Sequence, residues 1–505
     1  MGVNETVWAC HRDHENGFLL KVDFEKAFDS IGWNFVLSML EARGFSALWI
    51  AWIRQVLDTE SSILINGSVG LSFRHKRGVR QGNPISPFIF NLAVDCLSRL
   101  LSLASRNGLI EGVLSSRVEG GVTHFLFADD LMIFCSNKDG CLRNVMFLMK
   151  CFEITSGLKI NLAKTEVVSL RGDRGAADQA AQLIGCHSSV LPLSYLGLPL
   201  RAGRPIRADW LRMIGKLDAR LSSWQGKLLS RAGRLVLINS TISSLVAYLW
   251  SVFKVPGWVV NMIDKKRRKF FWSGTDATSS GRCLVRWDSI TRPLEAGGLG
   301  ILELRSHCSA RRGGWIWKVM LGKSLLWVRL MDSLYGDFQS WNGANFLRKA
   351  SPVWKDLRHL FEVMRLSSSF IVGDGRRIKL WTDCWANGEC LAERFPSLFN
   401  RARLQNCSIF EARSIDPSGV VHWNIPFTSL VEAGILLQLG SALEAIKYAA
   451  GEDTFRWKWS SDGVFSARSL YRMLMFVHKD RLPTKARVVT KGFNIVGGKC
   501  TNGAA

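Results

Sequence analysis

Two adjacent acidic residues, Asp129 and Asp130, lie at the centre of an otherwise apolar run from Phe125 to Phe134. The apolar residues on either side favour two strands joined at the acids. Burying both carboxylates without a counter-ion is unfavourable, because one of them would have to stay protonated. A divalent cation removes that conflict, and Mg²⁺ prefers oxygen ligands. The alternative is a solvent-exposed Asp-Asp turn, which binds nothing.

A third acid, Asp23, also ends an apolar run, Phe18–Val22, and a helical spacing of apolar residues follows from Phe24 to Ile31. Two strand ends that each carry an acid can hold a pair of metal ions for in-line displacement at a phosphate. Phosphoryl transfer needs little else from a protein than positioning and charge neutralisation. Glu25 and Asp29 are rival acids that we expect on the helix, in solvent.

Further elements are predicted from periodicity, caps and turn residues. They are a helix Trp33–Arg43 stopped by Gly44, strands Ser61–Asn66 and Leu71–Arg77 joined at Asn66-Gly67, a loop Gly78–Asn83, a helix capped by Ser86 with Pro87 in its first turn, a helix Cys141–Ser156, a strand Glu166–Leu170, and helices over Ala208–Trp272. Strands mixed with helices in the first part, and helices after it, are the elements of the α+β fold that we expect.

The chain carries 66 Lys and Arg against 42 Asp and Glu, a net charge of +24. Residues 201–320 hold 22 of the basic and only 7 of the acidic residues, which favours a polyanionic partner. The run Lys265, Lys266, Arg267, Arg268 and Lys269 lies beside several aromatic residues. Such a run suits a nucleic-acid track, or equally a solvated helix face over a buried aromatic stripe. It could also act as a nuclear import signal, so we expect an intracellular, nuclear protein.

Other classes of site find little support. The 12 cysteines show no CxxC spacing, so neither a disulfide framework nor a zinc site is predicted, and reduced thiols in an intracellular protein are the simplest account. The most apolar stretch considered, Leu245–Val260, is interrupted by Lys254 and Pro256, so no membrane span is expected. The N-terminus lacks the apolar core of a signal peptide.

Five segments resemble, in order and spacing, motifs A to E of reverse transcriptases. They are Leu20–Ser30, Gly78–Pro87, Phe127–Asp130, Ser156–Asn161 with the following Lys164-Thr165, and Tyr195–Leu200. The fourth and fifth most resemble plant LINE-type retrotransposons, which lack long terminal repeats. The resemblance implies an RNA-directed DNA polymerase that uses an RNA template, a DNA primer, dNTPs and Mg²⁺, with Mn²⁺ as a possible substitute.

The resemblance also implies roles for single residues. Asp23 and Asp129 would be direct metal ligands, and Asp130 would complete the acid cluster. Phe24 and Phe28 would contact the nucleotide, with the Phe28 ring beneath the sugar unless it is a core residue. Arg80, Gln81 and Gly82 would contact the base pair and the template. Lys164 would protonate pyrophosphate, unless it is a plain surface lysine. The primer grip would be formed by Tyr195, Leu196 and Gly197.

The resemblance divides the chain into four parts. We expect a palm domain with partial fingers over residues 1–201, an antiparallel sheet backed by helices. A helical thumb follows over 202–275, then a Trp- and Gly-rich connection over 276–440 and a partial zinc-binding-like region over 441–505. Three later segments carry the likeness: Leu221–Arg234, Gly297–Ile301 and Trp457–Tyr471.

Some features depart from the family pattern. Only 22 residues precede Asp23, so we expect the fingers, with their triphosphate-gripping residues, to be largely missing. Asn83 replaces the usual Asp of motif B. Cys500 and His478 cannot supply the four ligands of a structural zinc, so none is expected. The leading hypothesis is therefore a reverse transcriptase, either active or inactivated by truncation; the alternatives are a non-catalytic nucleic-acid-binding remnant and an unstable product without function.

Overall fold

A computed structural model describes most of residues 1–477. The residues outside this description are 139, 223–227, 243–248, 275–282, 322–324, 337–347, 387–388, 416–420, 429–431, 445, 447–448, 450 and 478–505. The chain divides into two compact units, Met1–Gly203 and Arg204–Ala505, called unit 1 and unit 2 below.

The centre of unit 1 is a five-stranded sheet. Its strands are β1 (Gly17–Val22), β4 (His124–Phe127), β5 (Asp130–Ser136), β6 (Glu166–Ser169) and β7 (His187–Ser188). They lie in the order β4-β5-β1-β6-β7, so β1 is central and pairs antiparallel with both β5 and β6. The predicted antiparallel sheet is confirmed for β4, β5, β1 and β6. The two-residue edge strand β7 differs, because it runs parallel to β6.

Seven helices belong to unit 1. They are α1 (Gly2–Arg12), α2 (Ala27–Ser30), α3 (Trp33–Ala42), α4 (Ala47–Leu57), α5 (Ser86–Arg106), α6 (Cys141–Ser156) and α7 (Arg174–Ile184). Residues of α5 spaced three and four apart, such as Ile89, Ala93 and Leu97, form one buried stripe. This stripe packs with the buried faces of α3 and α6 and with the sheet in one hydrophobic core. The prediction of a sheet backed by helices is thus confirmed for unit 1.

Helix α5 is also the one described helix that is long and apolar enough to cross a membrane, judged by length and composition alone. The apolar stretch considered above, Leu245–Val260, is a different segment, and part of it lies outside the described residues. The buried stripe of α5 belongs to the core of unit 1.

Two hairpins complete unit 1. Strands β2 (Glu60–Ile65) and β3 (Ser68–Arg74) meet at Asn66-Gly67, as predicted. Both turn residues have a positive φ, of 49° and 85°, as a type I′ turn requires. Strands β8 (Leu193–Tyr195) and β9 (Leu198–Leu200) form the second hairpin.

The helix predicted directly after Asp23 is shorter than expected. Only Ala27–Ser30 is helical, because the preceding residues bind another loop through their main chains. The Glu25 N–H donates to the Lys159 carbonyl at 2.8 Å, and Phe24 forms a bridge with Ile160. The prediction of Ser86 as a side-chain cap is wrong, since Ile85 occupies the cap position and Ser86 is the first residue of α5.

Unit 2 is mainly helical. Its helices are α8 (Arg207–Ser222), α9 (Arg231–Leu237), α10 (Gly257–Ser273), α11 (Trp287–Ile290), α12 (Leu304–Met320), α13 (Leu326–Tyr335), α14 (Pro352–Leu366), α15 (Leu391–Arg394), α16 (Pro396–Arg401), α17 (Ala433–Glu444) and α18 (Ala467–Val477). The prediction of helices over 208–272 is confirmed for the described residues. Strand β10 (Ser368–Ile371) pairs with β13 (Thr454–Trp457), and β11 (Arg413–Ile415) with β12 (Val421–Trp423).

Candidate active site in unit 1

The three predicted acids lie at one end of the central strand pair. Strand β1 ends at Val22, which is opposite Leu131, so Asp23 and Asp130 are the next residues on the two strands. Directly opposite residues of an antiparallel pair project from the same face, about 5 Å apart at their Cβ atoms. Asp129 belongs to the two-residue turn between β4 and β5, where Ala128 has a φ of 53°. Pairing register and a tight turn therefore bring the three acids to one edge.

The acids repel one another at this edge. Burial raises the pKa of Asp130 above its ordinary value, and the carboxylates of Asp129 and Asp23 raise it further, while Lys21 opposes them. Lys21 itself is 3.4 Å from Glu166 on the neighbouring strand. Negative charge is thus concentrated at the strand ends beyond what the protein neutralises there.

The loop before β6 holds Asp23 in position. The Asn161 N–H donates to the Asp23 carbonyl at 2.8 Å, and the Asp23 N–H donates to Thr165 Oγ1 at 3.4 Å. Lys164, from the same loop, places its Nζ 3.9 Å from Asp23 Oδ2. The Lys164 side chain is 71% exposed, so it can reach a ligand at the acids as well as Asp23.

The site fits a divalent cation in donor chemistry. Carboxylate oxygens are the ligands that Mg²⁺ prefers, and a cation would relieve the repulsion that raises the pKa of Asp130. Among the described residues, however, no three His, Cys, Asp or Glu side chains converge closely enough to hold a metal ion. Gathering Asp23, Asp129 and Asp130 around a cation therefore requires side-chain movement from this arrangement.

Two of the three predicted template residues line a cavity of about 540 Å³ in unit 1. Gln81 donates from its amide to Asp29 at 3.2 and 3.3 Å. Arg80 donates to the carbonyls of Thr59 and Glu60, the latter at 3.1 Å, so its guanidinium holds the loop to the start of β2. Arg80 and Gln81 both line the cavity. Gly82 is exposed, with a φ of 84°.

The two phenylalanines predicted to contact a nucleotide differ in exposure. Phe24 is 6% exposed and belongs to the hydrophobic core, so its predicted contact with a nucleotide is wrong. Its backbone bridge to Ile160 turns the side chain inward. Phe28 is only partly buried and stacks on Phe90, with ring centroids 4.4 Å apart. The ring of Phe28 is therefore held rigidly, with part of its surface open.

The predicted primer-grip residues form a tight turn. Tyr195 pairs with Leu198, and Leu196 and Gly197 are the two residues between the strands. Both have a positive φ, of 49° and 73°, which presents the turn as a rigid tip. Gly197 is exposed, whereas Tyr195 and Leu196 are partly buried.

The basic run of helix α10 is not one continuous surface. Lys265 and Arg268 are exposed, but Lys266 pairs with Asp218 at 2.7 Å. Arg267 is completely buried, and it donates to Asp264 and to the Leu302 carbonyl, both at 2.8 Å. The prediction that Arg267 binds nucleic acid is therefore wrong, because its guanidinium is used inside unit 2. Lys269 is partly buried, and the nuclear import role stays a prediction.

Sequence reasoning missed three residues that shape the site. Asn161 and Thr165 bind the main chain of Asp23, and Asp29 accepts from Gln81. Asp29 was expected to be merely solvated. A signal for Asn161 was available, since the segment Ser156–Asn161 stood out in the sequence, but its partner depends on tertiary structure.

The first part of the chain is similar to a known protein family. Residues 3–200 match the family model described as reverse transcriptase (RNA-dependent DNA polymerase). The match covers the three acids, the cavity with Arg80 and Gln81, and the hairpin tip at Gly197. Residues 3–200 are thus similar to the reverse transcriptase family.

Full-length relatives extend the likeness. An Arabidopsis thaliana protein named "Putative ribonuclease H protein" is 28% identical over 55% of this chain and 44% of its own length. The transposon TX1 uncharacterized 149 kDa protein of Xenopus laevis is 26% identical over 63% of this chain and 24% of its own. A retrovirus-related Pol polyprotein of Drosophila melanogaster, from the type-2 retrotransposable element R2DM, is 26% identical over 58% of this chain and 27% of its own length. The chain thus spans less than half of each relative's length.

A solved structure is also similar. The match to telomerase from Candida albicans, in complex with a fragment of telomeric RNA, covers 53% of this chain and 42% of the telomerase chain, at 13% identity. The TM-score is 0.30, which is too low to establish a common fold.

Proposed function

We propose that this chain is an RNA-directed DNA polymerase of a LINE-type retrotransposon, and the similarity of residues 3–200 to the reverse transcriptase family supports this. The observation that carries the proposal is the register that pairs Val22 with Leu131, so that Asp23 and Asp130 are the next residues on the two strands, with Asp129 in the adjoining turn. Relatives named as transposon and retrotransposable-element proteins support the type of element. The Arabidopsis relative supports a plant-type origin, as does the likeness of the fourth and fifth motifs.

Asp23, Asp129 and Asp130 would hold Mg²⁺, or Mn²⁺ in its place. When bound, such ions neutralise phosphate charge and lower the pKa of a coordinated hydroxyl. The protein's own part is positioning: Asn161 and Thr165 hold the Asp23 main chain, and Lys164 offers a mobile positive charge beside it. In this proposal Lys164 would meet a negatively charged leaving group.

The other contacts follow from exposure. Gln81, which lines the cavity of unit 1, and the exposed Gly82 beside it would guide the template RNA, and Arg80 would keep their loop in place. The partly open ring of Phe28 would lie under the sugar of a dNTP. The exposed tip at Gly197 would contact the DNA primer. The likeness of 457–471 to a zinc-binding region adds no ligands, and His478 and Cys500 lie outside the described residues.

Primer extension on an RNA template with Mg²⁺ tests this function. We expect Asp129→Ala to lower dNTP incorporation at least about 100-fold, because losing one group that stabilises charge in a transition state has that order of effect. Asp58→Ala, at the exposed end of α4, is the matched control and should keep full incorporation. Equal incorporation by the wild type and Asp129→Ala would refute catalysis at this site.

A second candidate is a non-catalytic nucleic-acid-binding protein, which the excess of basic residues over 201–320 favours. The structure narrows the test to Lys265 and Arg268, the exposed pair of the basic run. Replacing both by Gln should weaken RNA binding. The slope of log affinity against log salt concentration should also fall by the equivalent of about two phosphate contacts. Lys355 and Arg358 are exposed at the same spacing on α14, so their double Gln variant is the matched control. Unchanged affinity in the first variant would exclude this surface.

A further inference from the structure

Unit 2 contains an open cavity of about 460 Å³. Its walls are mainly apolar and come from α9, the end of α10, α11 and the glycine-rich turn that follows it. Leu235, Phe271, Trp272, Ile290 and Leu299 are the larger apolar side chains that line it. The volume lies within the range of about 300–1,000 Å³ typical of ligand pockets.

The cavity joins two of the later segments that carry the family likeness. Arg231 and Ala232 come from Leu221–Arg234, and Gly297, Gly298 and Leu299 come from Gly297–Ile301. Though they are far apart along the chain, the fold brings both segments to one pocket. The reverse transcriptase match ends at residue 200, so the function proposed for unit 1 does not explain it.

The walls are held in place by hydrogen bonds. Arg234 Nη1 donates to the carbonyls of Phe271 and Trp272, at 3.3 and 3.2 Å, which ties α9 to the end of α10. Asn239 donates to the Gly300 carbonyl at 3.2 Å, which ties the segment after α9 to the glycine-rich turn. The cavity is therefore a formed part of unit 2, with a defined shape.

One cation lies at the cavity without an acidic partner among the described residues. The Arg231 guanidinium is exposed and lies over the Trp272 ring, 5.5 Å from its centroid. This cation–π contact orients the charge without neutralising it. Ser289 adds a hydroxyl that can donate or accept a hydrogen bond.

We propose that this cavity binds one unpaired base of a single-stranded nucleic acid, with an adjoining phosphate on Arg231. A ligand that fits must combine a flat apolar body, a few polar edges and a nearby negative charge, as a nucleotide in a strand does. Aromatic side chains stack on bases in this way, and basic groups bind the backbone. The 22 basic against 7 acidic residues of 201–320 match a polyanion. This inference deepens the proposed function and rests on it for the class of partner.

Filling the cavity tests the proposal. Ala232 is exposed, is the second residue of α9 and lines the cavity, so Ala232→Trp fills it from a surface position. Ala208 is exposed at the same position of α8, and Ala208→Trp is the matched control. Fluorescence anisotropy of the full chain with a labelled oligouridine strand should show roughly 5- to 150-fold weaker binding for Ala232→Trp, the loss of one stacked base. The control should bind as the wild type does.

A strand of the same length made only of abasic sugar phosphates separates base from backbone. We expect it to bind Ala232→Trp and the wild type equally. Arg231→Gln should weaken the binding of both strands, and the slope of log affinity against log salt concentration should fall by the equivalent of about one phosphate contact. Unchanged oligouridine affinity in Ala232→Trp would overturn the proposal. Equal losses for the two strands would overturn it too, because the pocket would then not read a base.

The measurement is independent of catalysis. It uses no dNTPs or primer, so a failure of incorporation in the Asp129→Ala comparison leaves its outcome unchanged. Conversely, incorporation with no base-dependent binding at the cavity would overturn this inference and leave the polymerase proposal standing. An apolar dye that binds the cavity and is not displaced by oligouridine would point to an apolar ligand and refute the nucleic-acid base.

Discussion

Acid is expected to destabilise unit 1 through one buried histidine, His124, at the start of β4. Burial lowers its pKa from the ordinary 6.5 to about 4. The ring is held by two hydroxyls, Ser98 Oγ at 2.7 Å from Nε2 and Thr123 Oγ1 at 2.9 Å from Nδ1. In the folded protein this ring therefore stays neutral at pH values where an unfolded chain has already taken up a proton.

The direction and size of the effect follow from linkage. Below pH 6.5 the unfolded chain binds more protons than the folded one, so the free energy of unfolding falls as the pH falls, until about pH 4. One pKa unit corresponds to about 1.4 kcal/mol. For a pKa of about 4 in the folded state, the loss between pH 7 and pH 5 is about 2 kcal/mol. His124→Gln cannot take up this proton, so it should lack that part of the pH dependence.

Urea unfolding of the full chain, followed by pulsed hydrogen exchange and mass spectrometry, reads unit 1 separately from unit 2. Subtracting the pH dependence of His124→Gln from that of the wild type cancels carboxylates such as Asp130, which titrate in both proteins. The exposed His11, changed to Gln, is the control and should behave as the wild type does. If wild type and His124→Gln lose the same stability between pH 7 and pH 5, the reasoning about a buried neutral ring is refuted.

Two further outcomes are expected. Gly78→Ala should lower the free energy of unfolding, measured with urea, by about 1–3 kcal/mol more than Gly67→Ala does. Both glycines have a φ of 85°, but only at Gly78 would the added Cβ meet backbone, 2.6 Å from the Asp29 carbonyl oxygen. Equal costs would contradict this. The thiols of Cys384 and Cys390 lie 3.2 Å apart, so oxidised glutathione should link them by exchange. A cross-linked peptide in mass spectrometry would verify this, and two persistently free thiols would disprove it.

The sequence alone was sufficient to predict the elements that carry the acids. Apolar runs such as Phe18–Val22 and the turn at Asp129 depend on neighbouring residues, so local patterns indicate them. The Asn66-Gly67 hairpin and helix Cys141–Ser156 were predictable for the same reason. The family resemblance of residues 20–200 was likewise visible in the order of five motifs, and the match over 3–200 agrees with it.

The direction in which single side chains point was not predictable. Lys265, Arg267 and Arg268 are all basic residues of one short run, so the sequence does not distinguish their surroundings. The helix turns about 100° per residue, and their side chains therefore point in different directions. Arg267 is buried because Asp264 and the Leu302 carbonyl are there to receive its guanidinium. Phe24 likewise turned inward because its main chain pairs with Ile160.

Tertiary structure also decided how distant segments meet. The register of β1 and β5 pairs Val22 with Leu131, so that Asp23 and Asp130 are the next residues on the two strands. A shift by one residue would have sent one of these side chains to the other face. The cavity between α9 and the turn at Gly297 joins residues more than sixty positions apart. Local sequence patterns determined which elements form and where the acids stand, because these depend on near neighbours. Which side chains converge depends on the packing of distant elements, and that was decided only in the folded chain.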